Sequence, residues 1–325
     1  MKTILLTGSQ GFLGTFICLD LLNKGYRVIG VDNHYKYGKL HRPQNAHVNF
    51  SLINADLTES FPEIPEKVDY VIACAAKIGG IAYFNKYSYD LLADNEMITT
   101  NTFKFAIDKK VKRIVVLSSS MVFEHATKYP TPEDHRCPPP LSTYGFQKLM
   151  TEYYATGALE QYGLEYTIIR PFSCVGAWEP KSNTDVTLKV DNSNMVISHV
   201  IPDLVRRIRS SDGPVKLLGD GKQIRSFTNG RDIARAIGLA MEAPGAANQA
   251  FNIANASSCT IMDLAEKVWD KYYPDKEFKV LPSEGLKNDV KIRIADTSKA
   301  KELLGFEAEI SLDESISEVI EYLKD

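Results

Sequence analysis

The sequence predicts an α/β fold, in which a doubly wound parallel sheet is followed by a smaller C-terminal α/β region. Two observations lead to this prediction. From residue 1 to about residue 170, short apolar runs alternate with longer helical stretches, the order from which parallel sheets are built. Beyond Pro171 the elements become shorter and more polar. We therefore expect one domain over residues 1–175 and a second region over residues 176–325, with some segments of the second returning to the sheet.

The start of the chain is its most informative stretch. An apolar run, residues 3–7, leads into Gly8, Gly11 and Gly14 and a helical stretch, and a second apolar run ends at Asp32. A tight glycine turn lets backbone N–H groups approach a pyrophosphate, and the following helix presents its positive end to that charge. Asp32 is placed to accept hydrogen bonds from a ribose diol and would repel a 2′-phosphate. The segment therefore predicts NAD, rather than NADP, bound to a Rossmann-type sheet.

The remaining strands and helices of the sheet follow in order. We predict strands at 48–53, 68–73, 113–117 and 166–170 and helices at 91–109 and 143–161. Parallel strands place their carboxyl ends on one edge of the sheet, where such sheets bind ligands. The pair Asp56 and Leu57 follows the third strand and suits an adenine, whereas the small Ala75 and Ala76 follow the fourth and leave room for a cofactor.

The second region consists of shorter elements. We expect a polar loop at 177–195, helices at 196–210, 231–242, 260–273 and 312–324, and strands at 215–218 and 251–253. No repeat or low-complexity tract interrupts them. We interpret this part as the smaller region that binds the substrate.

Composition excludes several classes of protein. The 38 basic and 41 acidic side chains are interspersed, so the chain lacks the electrostatic pattern of a nucleic-acid or membrane-surface binder. Its five cysteines are scattered without metal-ligand spacing, so we expect reduced thiols and no metal site. No signal peptide precedes the first strand, and no apolar run approaches the roughly 18 residues that span a bilayer. We expect a cytoplasmic protein.

Tyr144 and Lys148 are the clearest candidates for catalysis. Four residues apart in a helical stretch, they lie on one face of the helix. An ammonium beside a phenol favours the phenolate, as an oxidised nicotinamide also would, so we expect Lys148 to lower the pKa of Tyr144. Ser119, at the carboxyl end of the strand at 113–117, could hold a substrate oxygen while Tyr144 exchanges its proton. The alternative is a surface tyrosine and a turn serine with no common role.

These motifs resemble those of the extended short-chain dehydrogenase/reductases, specifically the nucleotide-sugar epimerase/dehydratase branch. The resemblance rests on the glycine turn, Asp32, Asp56, Ala75-Ala76, Ser119-x-x-Val122-Phe123 and Tyr144-x-x-x-Lys148. It continues through residues 170–173, 219–227, 251–254 and 295–306, and so covers nearly the whole chain. The resemblance implies NAD as the cofactor, a nucleotide-diphosphate sugar as the substrate, and a homodimer formed through the two long helices.

The resemblance also implies residues for each role, beginning with Ser119, Tyr144 and Lys148 as the catalytic set. The cofactor site would comprise Gly8, Gly11, Phe12, Leu13, Gly14, Asp32, Asn33, Asp56, Leu57, Ala75, Ala76, Lys77, Tyr144, Lys148 and Pro171. The substrate site would comprise Lys77, Ser119, Ser120, Met121, Tyr144, Ser173, His199, Val200, Arg225 and Arg293. In such enzymes the residue matching Arg225 commonly meets the diphosphate, and one near Arg293 often does too. The alternative for either arginine is a surface salt bridge only.

Positions at which this sequence departs from the family pattern indicate which branch of the family it resembles. Ser120 and Met121 stand where 4,6-dehydratases carry an Asp-Glu pair, so dehydration is disfavoured. Residues 75–81 and 199–202 resemble segments of GDP-fucose synthase, but the epimerase cysteine of that enzyme aligns with Met121. A thioether is neither an acid nor a base, so His199 either serves a different reaction or only caps or packs.

The sequence thus predicts an NAD-dependent nucleotide-sugar epimerase acting at C4 through a transient 4-keto sugar. A 4-keto-sugar reductase, or a 3,5-epimerase/reductase of the GDP-fucose synthase kind, is the alternative. Asp32 argues against that alternative, because net reduction usually draws on NADPH. A more distant alternative is a non-catalytic NAD-binding regulator.

Overall fold

The computed structural model describes residues 1–190, 193–197, 199–285 and 289–324. The elements of its first part are β1 (Thr3–Thr7), α1 (Phe12–Asn23), β2 (Arg27–Asp32), β3 (Phe50–Asn54), β4 (Tyr70–Ala73), α2 (Ile81–Lys86), α3 (Ser88–Asp108), β5 (Arg113–Leu117), α4 (Thr143–Tyr162), β6 (Tyr166–Pro171) and β7 (Cys174–Val175). Those of its second part are β8 (Val186–Val190), β9 (Ser193–Ile197), α5 (Val200–Ser210), β10 (Val215–Leu218), β11 (Ile224–Arg225), β12 (Thr228–Asn229), α6 (Gly230–Glu242), β13 (Gln249–Ile253), β14 (Cys259–Thr260), α7 (Ile261–Tyr272), β15 (Val280–Ser283), β16 (Ile292–Arg293), α8 (Ser298–Leu304) and α9 (Leu312–Tyr322).

Seven parallel strands form the central sheet, in the order β13-β6-β5-β4-β1-β2-β3. β1 pairs with β2 on one side and β4 on the other, so the strand order reverses there. Such a switch point opens a crevice at the carboxyl ends of the strands, where doubly wound sheets bind ligands. The predicted fold class is confirmed.

Both faces of the sheet are buried. On β1, Ile4 and Leu6 pack on one side with Phe16 of α1, whereas Leu5 packs on the other side with Phe103 of α3. Burial on both faces explains why the strands read as continuous apolar runs rather than as alternating ones. The sheet is therefore a firm base for the loops at its carboxyl edge.

Several element boundaries differ from those predicted. The strand expected at 48–53 is β3, and the helix expected at 91–109 begins at Ser88, after the unpredicted helix α2. Residues 33–49 contain only a 3-10 helix, and residues 55–69 contain no helix, so helices do not follow every strand. These crossovers of 17 and 15 residues each exceed the dozen or so residues that a connection between parallel strands needs.

The prediction of a polar loop over residues 177–195 is wrong for the second half of that range. β8 and β9 pair as antiparallel strands there. Val186, Leu188 and Val190 alternate with Thr187 and Lys189, a period of two that indicates a strand despite the polar residues around it. Helix α8 was also not predicted. None of the helices among the described residues is both long and apolar enough to cross a membrane.

Candidate active site

A cavity of about 640 Å³ lies at the carboxyl edge of the sheet. Its wall is formed by the glycine turn after β1, the loops after β2 to β6, and the segments around β11 and β16. Every residue that the sequence assigned to catalysis, cofactor or substrate lines this cavity. Residues from both ends of the chain therefore share one chamber.

The glycine turn is too tight for side chains. Gly8 has a φ of +72°, and a Cβ on it would lie 2.9 Å from the backbone of Ala75. A Cβ on Gly14 would lie 2.0 Å from the carbonyl oxygen of Gly8. Helix α1 follows with neither a side-chain cap nor an acidic residue in its first turn, so its positive end is not neutralised by the helix itself. This cradle fits the pyrophosphate of a dinucleotide.

Asp32 is held rigidly at the end of β2. Its Oδ2 accepts a hydrogen bond from the backbone N–H of Gln10 at 2.9 Å, and its Oδ1 accepts one from the N–H of His34 at 2.7 Å. Each carboxylate oxygen keeps a further lone pair. The side chain is thereby oriented as an acceptor for a ribose diol.

Asp56 is fixed at the end of β3 in a similar way. Its Oδ1 accepts hydrogen bonds from the backbone and hydroxyl of Thr58, and its Oδ2 accepts one from Asn33 at 3.0 Å. Burial raises the pKa of this carboxyl, but the hydrogen bonds from Thr58 and Asn33 and the charge on Lys77 outweigh it and bring the pKa below its usual value. Asp56 is therefore an ionised acceptor beside the apolar Leu57.

Ser119, Tyr144 and Lys148 are brought together by β5 and α4. Ser119 follows β5, and its Oγ accepts the N–H of Met121 at 3.1 Å, which begins the 3-10 helix at Ser120–Phe123. Tyr144 lies in the first turn of α4. One turn later, Nζ of Lys148 donates to the carbonyl of Leu117 at 2.9 Å. The lysine thus ties α4 to the end of the strand that precedes Ser119.

Burial controls both titratable groups of this set. It raises the pKa of Tyr144 to about 12, even though a hydrogen bond from Ser119 and the charge on Arg293 act to lower it. It lowers the pKa of Lys148 to about 8. The expectation that Lys148 lowers the pKa of Tyr144 is therefore wrong for this structure, because burial dominates and the ammonium is directed to Leu117.

Two sets of contacts that the sequence did not predict hold Tyr144 in place, one at its ring and one at the start of its helix. The ring of Phe84, from α2, stacks on it with centroids 4.4 Å apart and planes 8° apart. Ser142 caps α4 by accepting the N–H of Gly145 at 3.1 Å, while its hydroxyl donates to Glu124 at 2.6 Å. The start of the helix and the phenol it carries are held from both sides.

Lys77 is paired rather than free. Its Nζ lies 2.6 Å from Asp94 of α3 and 4.8 Å from the ring centroid of Tyr35. Its backbone exchanges two hydrogen bonds with the buried amide of Asn95. These contacts explain how the small-residue segment after β4 is held against α3.

His199 forms a pair with Glu179. Nδ1 of the imidazole hydrogen-bonds the buried carboxylate, and His199 precedes α5 without capping it through its side chain. Burial raises the pKa of Glu179, but the charge and hydrogen bond of His199 outweigh it and lower the pKa. The two residues are twenty positions apart, and no motif in the sequence indicated that they pair.

Arg225 and Arg293 occupy paired positions on β11 and β16 but have different surroundings. Arg225 donates to the carboxylate of Asp289 at 3.0 Å and to backbone carbonyls, including that of Ile224 at 2.9 Å. Arg293 instead donates to the thioether of Met121 at 3.1 Å. The two guanidinium groups therefore have different hydrogen-bond partners, although the charge of Asp289 acts on both.

A family comparison agrees with this arrangement, since residues 4–254 match the model of the NAD dependent epimerase/dehydratase family. The chain belongs to that family. It is 28% identical to UDP-glucuronate 4-epimerase of Thermodesulfobacterium geofontis, covering 100% of this chain and 97% of the relative. It is 30% identical to UDP-glucuronic acid decarboxylase 6 of Arabidopsis thaliana, covering 96% of this chain and 86% of the relative. GDP-L-fucose synthases also match.

Among solved structures, the UDP-glucose 4-epimerase of Thermotoga maritima with UDP-glucose superposes with a TM-score of 0.82. The two chains are 27% identical, and the match covers 99% of this chain and 98% of the other. The predicted membership of this epimerase/dehydratase family and its NAD cofactor are confirmed.

Proposed function

We propose that this member of the epimerase/dehydratase family is an NAD-dependent nucleotide-sugar 4-epimerase. The observation that carries the proposal is the meeting of Ser119 and Tyr144 in the same cavity as the glycine cradle and Asp32. A phenol beside a hydroxyl is what proton exchange at a carbinol requires. The 4-epimerases among the related proteins support the same reaction.

In this mechanism Tyr144 acts as a phenolate, the form that the positive charge of a bound nicotinamide would favour against the effect of burial. The phenolate takes the proton of the C4 hydroxyl and later returns it to the 4-keto oxygen. Ser119 donates a hydrogen bond to that oxygen, and Lys148 holds α4 against β5 so that both side chains face the same atom. NAD, which the glycine turn and Asp32 would hold, would supply reversible hydride transfer at C4. Because the cofactor ends in its starting state, it need not leave between turnovers.

The nucleotide part of the substrate is proposed to be a uridine diphosphate. Two of the relatives and the solved structure described above are named for UDP-sugars. We assign the cofactor to residues 1–175 and the nucleotide sugar mainly to residues 176–325, with Arg225 as the candidate for the diphosphate. Its guanidinium would exchange the Asp289 carboxylate for a phosphate oxygen.

A second candidate is an epimerase-reductase of the GDP-fucose synthase kind. The observation that favours it is the His199 and Glu179 pair, since a carboxylate that orients an imidazole is a common acid-base device. Met121, however, places a thioether where the second proton-transfer group would stand. The two candidates differ in cofactor use, because a reductase consumes its dinucleotide and an epimerase recycles it.

The test begins with protein purified without added cofactor. Denaturation should release near-stoichiometric NAD, identified by mass spectrometry, and a panel of nucleotide sugars should give the C4 epimer of one of them. Tyr144→Phe should keep the NAD and lose activity by about 100- to 10,000-fold. Tyr162→Phe, at the exposed C-terminal end of the same helix, is the control and should retain activity.

Three results would decide against this function. An empty site that fills only with NADPH would favour the reductase. Substantial activity in Tyr144→Phe would remove the phenol from the mechanism. Product from none of the nucleotide sugars would favour a non-catalytic NAD-binding protein.

We also propose a cytoplasmic homodimer. The α3 and α4 helices expose Tyr89, Met97, Phe146 and Tyr153, an apolar set that a second copy of this chain would cover. The five free cysteines suit a reducing compartment. Solution scattering should give twice the mass of the chain, and Met97→Glu should shift it toward the monomer; a wild-type monomer would refute the dimer.

A further inference from the structure

Arg293 forms no ion pair within 4 Å among the residues that the structure describes; the charge of Asp289 acts on it from farther away, and that carboxylate is already paired with Arg225. Its Nη1 donates to the sulfur of Met121 at 3.1 Å, and a thioether is only a weak acceptor. Its Nε is buried and has no hydrogen-bond partner among the residues that the structure describes. Arg225, its neighbour on β11, is by contrast paired with Asp289. A partly buried cation whose nearest acceptors are weak is costly to desolvate, so Arg293 is expected to receive a charged group from a ligand.

The position of Arg293 indicates which part of the ligand that is. Met121, which it contacts, is two residues beyond Ser119 on the same 3-10 turn. The charge on Arg293 lowers the pKa of Tyr144, and burial lowers the pKa of Arg293 itself. The guanidinium therefore lies on the side of the cavity where Ser119 and Tyr144 handle the sugar, whereas Arg225 is turned toward residues 289–291.

We propose that Arg293 binds a carboxylate carried by the sugar, which makes the substrate a nucleotide-diphosphate uronate. This inference rests on the proposed function, and it assigns Arg293 to the sugar rather than to the diphosphate that the family resemblance implied. A guanidinium presents parallel N–H donors at the spacing of a carboxylate, and the pair is strongest where water is excluded. Two relatives described above are named for uronates, which agrees with this chemistry.

Substrate preference gives the first test. The kcat/KM of the holoenzyme is measured for UDP-glucuronate and UDP-galacturonate against UDP-glucose and UDP-galactose. Wild-type protein should prefer the uronates. Arg293→Gln should lower kcat/KM for the uronates by roughly 10- to 100-fold, the range of a charged hydrogen bond, and change the neutral sugars by less than about threefold. Arg293→Lys keeps the positive charge but not the paired N–H donors, so its kcat/KM for the uronates should lie between those of the wild type and Arg293→Gln.

The diphosphate is the other anion that this arginine could meet, and Arg225→Gln separates the two cases. A residue that binds the diphosphate contributes equally to all four substrates, so Arg225→Gln should lower every kcat/KM alike. If Arg293→Gln does the same, or if the wild-type protein prefers the neutral sugars, the inference is overturned. Circular dichroism of each variant shows whether it is folded.

Binding measurements distinguish failure of this inference from failure of the proposed function. Isothermal titration calorimetry compares the Kd of UDP-glucuronate with that of UDP-glucose for the wild type and Arg293→Gln, without any need for turnover. Tighter binding of the uronate that depends on Arg293 would uphold the inference even in a protein that turns over none of the four. Release of CO₂ with a nucleotide pentose would likewise uphold it but overturn the 4-epimerase. Equal Kd values would refute it, whatever the activity.

Discussion

Replacing Lys148 by methionine should stabilise the protein while removing its activity. Burial lowers the pKa of Lys148 from 10.5 to about 8, and such a change costs the charged form about 3 kcal/mol in the folded state. Methionine has a similar length and carries no charge, so this cost disappears. Loss of the hydrogen bond to Leu117 offsets about 1.5 kcal/mol of the gain. In protein stripped of NAD, we expect Lys148→Met to raise the free energy of unfolding at pH 7 by roughly 2 kcal/mol.

The gain should depend on pH in a defined direction. Because the pKa of Lys148 is lower in the folded protein than in the unfolded chain, the unfolded chain binds more protons between about pH 8 and 10.5. Wild-type stability should therefore gain from Lys148 as pH rises through this window, and the variant should lack that gain. At pH 10 the remaining cost to the wild type falls to about 1 kcal/mol, so the advantage of the variant should vanish.

Urea denaturation at both pH values measures these differences. Lys104→Met, on the exposed side of α3, replaces a lysine that stays in water and should change stability by less than about 0.5 kcal/mol. If Lys148→Met is less stable than the wild type at pH 7, or if the difference between them is the same at pH 10, the reasoning from burial is refuted.

Two further changes act on the groups around Tyr144. Ser142→Ala removes the cap on α4 and should cost about 1 kcal/mol of stability, seen as a lower urea midpoint; an unchanged midpoint would mean that Glu124 or water replaces the cap. Phe84→Ala removes the ring stacked on the phenol and should lower kcat by about 3- to 10-fold with the NAD content unchanged, whereas an unchanged kcat would mean that the stack does not orient Tyr144.

The geometry of the glycine turn and Asp32, which we propose to hold the cofactor, could be predicted from sequence because its parts are local. The glycine turn, the first turn of α1 and Asp32 lie within the first thirty-two residues and follow one another in a fixed order. The positive φ of Gly8 and the close approach of Gly14 to the Gly8 carbonyl exclude other residue types. The presence of these glycines in the sequence therefore indicates the geometry of the turn. Apolar runs likewise indicated the buried strands of the sheet.

Pairs that form across the fold could not be predicted in this way. Glu179 holds His199, Glu124 holds Ser142, and neither carboxylate belongs to a pattern with a fixed spacing. Phe84 lies on a helix of six residues, too short to show a periodicity. These contacts depend on how loops meet over the edge of the sheet, which only the tertiary structure determines.

The free-energy cost of burying a charged side chain also depends on the tertiary structure and could not be predicted from the sequence. Lys36, Lys148 and Arg293 all line the cavity, and burial lowers the pKa of each. In the sequence they are three of 38 basic residues, with nothing to distinguish them from lysines and arginines in water. In the fold they oppose stability unless anionic or hydroxyl groups of a ligand reach them. The apolar sheet beneath must therefore supply the stability, and ligands that bind these cations should add to it by mass action.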